Sequence, residues 1–300
     1  MRKSPVLLIH HAANGPHTHL PNSIRGLQAC LDAGSRVVEM DISPLAGGDF
    51  VLLHGPLLEG DTNGSGRVDA CTTGEVVALR LTRLGVVTDE PVGMLNQALE
   101  LLSRHPRPVE LQLDLHSHAH LDDAALSRLA AALGPVKDCV RVTSAADWVL
   151  RRLRALDADL PLGFDPMLYL DIMEHKERAP TRPPFRLGAY DYWDDHPLAS
   201  RRWGHTSDYL AARVEALWAQ SPPGVIWYIR APLLARALDE GFDWMADLHA
   251  RGVEVDAWTL NPSRPEHVAL ACRLMAAGVD RITTDDAPAL ARALGDGVEF

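Results

Sequence analysis

The chain has 300 residues, 40 acidic against 29 basic side chains and a formal net charge of −11. That balance disfavours nucleic acid and anionic membranes as partners, and an anionic substrate would need a local cation or a metal. Cys30, Cys71, Cys139 and Cys272 are widely spaced with no CxxC pair, so they read as buried thiols of a reducing compartment, and the length admits one large domain or two small ones.

The apolar run from Val6 to Ile9, behind Arg2 and Lys3, is too short for a signal peptide or a membrane span. A soluble cytoplasmic protein without an integral membrane segment is therefore expected. The same run opens a series of short β-rich stretches at 6–11, 36–42, 109–115, 139–144, 160–165, 225–230, 253–260 and 281–285. Between them, "NSIRGLQACLDAG", "VGMLNQALELLSRH" and "DWVLRRLRAL" space their apolar residues by three and four, which predicts helices. Strands alternating with helices in this number predict an α/β chain folded as a (β/α)8 TIM barrel, a single domain over residues 1–300.

Two stretches break the alternation. "FVLLH" (50–54) follows the second strand after only "SPLAGGD", too short for a parallel crossover and carrying a Gly47-Gly48 turn signal. It reads either as an excursion over the C-terminal mouth that brings His54 to the site, or as an edge hairpin with an exposed histidine. Residues 168–222, rich in Pro, Trp and charge, are too long for one loop and read as an insertion at the mouth with some helix of its own, placed to serve as a lid.

Chemistry is suggested first by "VVEMDI". Alternate strand residues share a face, so Glu39 and Asp41 point one way and Val38, Met40 and Ile42 the other. Two carboxylates facing a barrel interior are costly unless a cation lies between them, and an oxygen-only pair suits Mg2+ or Ca2+. Taken alone, the pair is more simply a strand with its polar face in water. "VELQLDLH" adds Glu110, Gln112 and Asp114 on one face, with Asp114 nearest the end where barrel sites assemble. "HSHAH" (116–120) and "HTH" (17–19) raise zinc as an option, although His-x-His pairs in loops are usually solvated. His10 and His11 are neighbours on a strand, so only one of them enters the barrel.

In order and spacing these pieces resemble the glycerophosphodiester phosphodiesterase family, within the phospholipase C-like phosphodiesterases. The resemblance runs from Leu7 to about Leu290 and is carried by the strand ending at His11, "LDAGSRVVEMDI", "FVLLH", "TNGSGRV" (62–68), "GVEVDAWTLN" (252–261) and "GVDRITTDDAPAL" (278–290). It implies a TIM-barrel hydrolase of lipid-derived phosphodiesters whose partner is a small-molecule substrate. Glu39, Asp41 and Asp114 would be ligands of a divalent metal, His11 and His54 the general acid and base, and Trp258 an aromatic wall of the substrate site. Trp258 is equally explicable as core packing.

The family's His-Arg-Gly is here His11-Ala12-Ala13, the glutamate of its Pro-Glu-Asn-Thr motif falls on Pro21, the aspartate after its second histidine is Gly55, and its lysine beyond the third ligand is His116. With Lys3, Lys137 and Lys176 the only lysines, phosphate charge falls to the metal and to Arg230, which ends the predicted sixth strand. "HAAN", "HGP" and Asp114 also resemble sphingomyelinase D-like phospholipases, the second reading. A barrel that binds phosphate or headgroup without turnover is the third; retention of three carboxylates and two histidines weighs against it.

Overall fold

The β-rich runs form parallel strands in chain order: β1 (Val6–His10), β2 (Val37–Pro44), β3 (Glu110–Leu115), β4 (Val140–Ser144), β5 (Leu162–Phe164), β6 (Ile226–Arg230), β7 (Val255–Trp258) and β8 (Arg281–Thr284). Each pairs with the next and β8 pairs with β1, so the eight close into a barrel as expected. This computed structural model describes residues 5–15, 18–116, 121–172 and 184–300.

Helices α1 (Ile24–Ala33), α2 (Leu95–Arg104), α3 (Asp123–Leu133), α4 (Asp147–Leu156), α5 (Thr206–Gln220), α6 (Ala231–Asp239), α7 (Pro265–Ala277) and α8 (Ala287–Leu294) follow the strands in turn. Local chemistry sets their ends: the Ser23 hydroxyl accepts the Gly26 amide at the start of α1, and Gly34 closes it with a left-handed φ of 84°.

Strand alternation sorts the side chains. Val38, Met40 and Ile42 leave the barrel and pack in the main hydrophobic core, each contributing on the order of 2 kcal/mol by burial. Glu39 and Asp41 point inward and are only 4% and 3% exposed, so their face is not the solvated face of an ordinary strand. At the other end of the interior, Glu110 pairs with Arg141 at 3.1 Å and with Arg281 at 2.8 Å. Burial alone would raise the Glu110 carboxyl, but these two guanidinium groups hold it below its ordinary value. Gly163 leaves room for the Tyr228 ring, which a Cβ there would strike.

After β2 the chain turns through Gly47 and Gly48, both at positive φ, and Phe50–Val51 returns antiparallel with Ser43 opposite Val51. The stretch before α2 builds a small core of its own, including Leu53, Leu58, Val68, Val76 and Leu81, and carries a hairpin of Arg80–Arg83 with Val86–Pro91. The sequence pattern pointed only to the returning strand.

Of the stretch expected as an insertion, residues 173–183 lie outside the described ones. Its C-terminal part is the barrel helix α5, which strand spacing alone did not separate from the insertion. Asp171–Ile172 pairs antiparallel with Tyr192–Trp193, and buried Asp194 accepts hydrogen bonds from Tyr209 at 2.6 Å and from Arg213 at 2.5 Å. An arginine on the buried face of α5 hid its amphipathic pattern. Among the described residues, no helix is long and apolar enough to cross a membrane.

Candidate active site

Register brings the carboxylates together. Asp41 lies opposite Asp114 and Glu39 opposite Gln112 across the β2–β3 ladder, near the C-terminal ends of the strands. Ligand oxygens of Glu39, Asp41 and Asp114 all lie within 4.8 Å of one another. Glu39 accepts the Ala12 amide at 2.6 Å, and Asp114 accepts the Thr143 hydroxyl at 2.9 Å. Asn22 grips Asp41 twice: its side-chain amide donates to Oδ2 at 2.7 Å and its oxygen accepts the Asp41 amide at 2.9 Å.

Burial and the neighbouring charge of Asp41 push the Glu39 carboxyl well above its ordinary range. Asp41 goes the other way: burial would raise it, but the hydrogen bond and charge of His116 outweigh that and hold it low. The crowding of the carboxylates thus shows in Glu39, which is pushed toward its protonated form. Three converging carboxylate oxygens are a donor set that fits a divalent cation, and Asp41, His54 and His116 form a second group able to hold one.

His11 stands just past β1 with a third of its side chain exposed, its Nε2 4.0 Å from Glu39 and its Nδ1 2.6 Å from Asp285. Burial would lower this imidazole, yet the Asp285 hydrogen bond and the charge of Glu39 raise it to about 9. Asp285 is itself positioned by Asn261, whose amide donates to Oδ2 at 2.6 Å. Ala12 and Ala13 turn through left-handed φ values of 52° and 47°, which aims the Ala12 amide at Glu39. His54 is exposed at the end of the returning strand, its ring centroid 4.4 Å from that of His116.

The remaining sequence-predicted residues fall at the rim. Arg230 donates to Asp171 at 2.6 Å, which ties the end of β6 to the segment beyond β5. Asp165, at the end of β5, is raised well above the ordinary carboxylate range by burial and by the charges of Asp114 and Asp171, with Arg230 opposing. Trp258 is half-buried against the cluster of Ile9, Val37, Ile226 and Tyr228, beside Arg230 across the β6–β7 ladder, with its indole N–H unpaired among the described residues. His10 faces the helices, 6.2 Å from the Phe300 ring. His19 lies in the loop after β1, whereas His17, His118 and His120 lie outside the described residues.

Sequence reasoning missed Asn22, Asp285 and Asn261. Each sits in a stretch already singled out, around Pro21, "RITTD" and "AWTLN"; a search for polar residues just past strand ends would have found Asp285 and Asn261, whereas Asn22 lies in the loop before α1.

No family model matches the chain. Glycerophosphodiester phosphodiesterase 1 of Mus musculus is 24% identical over 254 residues, 82% of this chain and 70% of that protein; its Homo sapiens counterpart is 22% identical over the same shares. A glycerophosphoryl diester phosphodiesterase structure from Silicibacter pomeroyi superposes with a TM-score of 0.67 at 22% identity, covering 98% of this chain and 94% of that one. The chain is similar in sequence to glycerophosphodiester phosphodiesterases and shares their fold. The family fold extends to a structure from Oleispira antarctica determined with the product sn-glycerol-3-phosphate, with a TM-score of 0.64, 18% identity and 97% of each chain covered.

Proposed function

We propose that the protein is a metal-dependent phosphodiesterase acting on glycerophosphodiesters or related lipid-derived diesters. The observation that carries this reading is the placement of His11 beside Glu39 and of His54 within reach of Asp41, two histidines gathered at the carboxylate group.

A phosphodiester is an anion that resists attack, so its hydrolysis needs charge neutralisation, an activated nucleophile and a protonated leaving group. A divalent cation held by Glu39, Asp41 and Asp114 would neutralise a nonbridging phosphate oxygen and acidify a nearby hydroxyl; three oxygens by themselves select Mg2+ or Ca2+. His11 and His54 divide the proton transfers. One takes the proton of the incoming hydroxyl, the P–O bond to the leaving group breaks, and the other gives a proton to the departing oxygen. Asp285 fixes the His11 ring so that Nε2, not Nδ1, is turned toward the carboxylates. Arg230 and Trp258 line the side where the alcohol portion would lie, and the chain acts as one domain.

The deciding assay measures hydrolysis of glycerophosphodiesters, lysophospholipids and bis(p-nitrophenyl) phosphate with Mg2+, Ca2+ or a chelator, for wild type and His11→Ala. Turnover lost on chelation and in the variant supports the reading, and turnover indifferent to both sinks it. Release of choline instead of a glycerol product would favour the sphingomyelinase D-like reading, which "HAAN" and "HGP" support. Phosphate binding without any turnover would favour the binding barrel.

A further inference from the structure

His116 is not needed for the proton transfers, yet it sits against two of the three carboxylates. Its amide N–H donates to Ile42 at 2.9 Å, continuing the β2–β3 ladder, so its backbone is held in register with Asp41 and Asp114. Its Nε2 stands 2.8 Å from Asp41 Oδ1 and 3.0 Å from Asp114 Oδ2. An imidazole nitrogen carries at most one hydrogen, and one hydrogen cannot make two linear bonds to carboxylates on different strands. One hydrogen can be shared, bent, between the two oxygens, or it can be given up so that the nitrogen and the oxygens turn to a common cation; Asp41, His54 and His116 offer ligand atoms within 4.8 Å of one another, with the His54 ring on one side.

We propose that His116, which contacts Asp41 and Asp114, is a ligand of the cation that these carboxylates hold, and that its nitrogen makes this position one for borderline divalent ions such as Zn2+ and Co2+. The proposal rests on the reading that the carboxylates hold a cation. Carboxylate oxygens alone suit Mg2+ and Ca2+, whereas an imidazole adds a donor that Zn2+ and Co2+ favour and Mg2+ does not. On binding, the Nε2 hydrogen leaves to solvent and its lone pair takes the place of the bond to hydrogen.

The test titrates metal-free protein separately with Zn2+, Co2+ and Mg2+ by calorimetry and follows the visible absorption of the Co2+ form. In His116→Gln, Zn2+ and Co2+ affinity falls roughly 100-fold and the Co2+ bands change, while Mg2+ affinity moves by less than about threefold. Equal weakening of all three ions, or none, overturns the proposal and leaves His116 as a counter-charge between Asp41 and Asp114. Asp114→Asn separates the two levels, since unchanged affinity for every ion there would defeat the cation reading itself. Circular dichroism, with His116→Asn as a second variant, checks that the loss is not one of folding.

Discussion

The carboxylate of Asp285 meets Nδ1 of His11 at 2.6 Å, joining the end of β8 to the end of β1 across the closing seam of the barrel. Asp285 fixes the ring while Nε2 faces the site, so it is a positioning residue. Asp285→Asn should lower kcat on a phosphodiester about 100-fold or more and move KM less than about threefold. Steady-state kinetics check this, and a change confined to KM would place Asp285 in substrate binding instead.

Glu39→Gln should separate stability from activity. The substitution replaces a carboxyl that burial and the charge of Asp41 push toward its protonated form, at a cost relative to the unfolded chain, and leaves an oxygen to accept the Ala12 amide. Urea unfolding in the presence of a chelator should show the variant more stable than wild type by about 1–3 kcal/mol, while its turnover with metal falls about 1000-fold. A less stable variant would mean that the carboxylates do not repel one another in the folded chain.

His10 should give the protein an acid-sensitive step. Its ring is buried with neither nitrogen bonded among the described residues, and burial lowers it from 6.5 to about 4 against the opposing charge of Asp286. The folded value is depressed, so the protein is fully stable above about 6.5 and loses stability as the pH falls through that window to about 4, on the order of 3 kcal/mol in all. His10→Leu should flatten this part of a plot of stability against pH. A plot of unchanged slope would show that His10 binds protons alike in the folded and unfolded chain over this range.

The hairpin ahead of α2 turns through Leu84 and Gly85 at φ values of 51° and 79°, the two-residue geometry that favours Asn-Gly. Leu84 is fully exposed, so its side chain gains no burial there. Leu84→Asn should stabilise the protein by about 1 kcal/mol, read as a higher urea midpoint at unchanged slope. No gain would mean that the hairpin opens before the rest of the chain.

The barrel was legible because alternation and helical spacing are local. "RVVEMDI" and "VELQLDL" announce strands, and the inward face of Glu39, Asp41 and Asp114 follows from period two alone. What was hidden depends on closure. Asp285 lies 274 residues from His11, and no local pattern ties them. Asn22 is an ordinary loop residue until the turn after β1 places it under Asp41. Arg213 reads as a surface arginine until Asp194 arrives from the segment before it, so α5 was absorbed into the insertion. His54 was legible only as a pair of alternatives, and its meeting with His116 is made by the return of Phe50–Val51.

Gly26 lies in the first turn of α1, where a Cβ would run into the carbonyl of Ala13. The same loop carries the Ala12 amide that Glu39 accepts. The helix therefore works as a spacer block whose thickness is one hydrogen atom, and the mouth is only as true as that fit. A change there that never touches substrate would be felt as a fault in catalysis, so an inactivating mutation need not mark a reacting group.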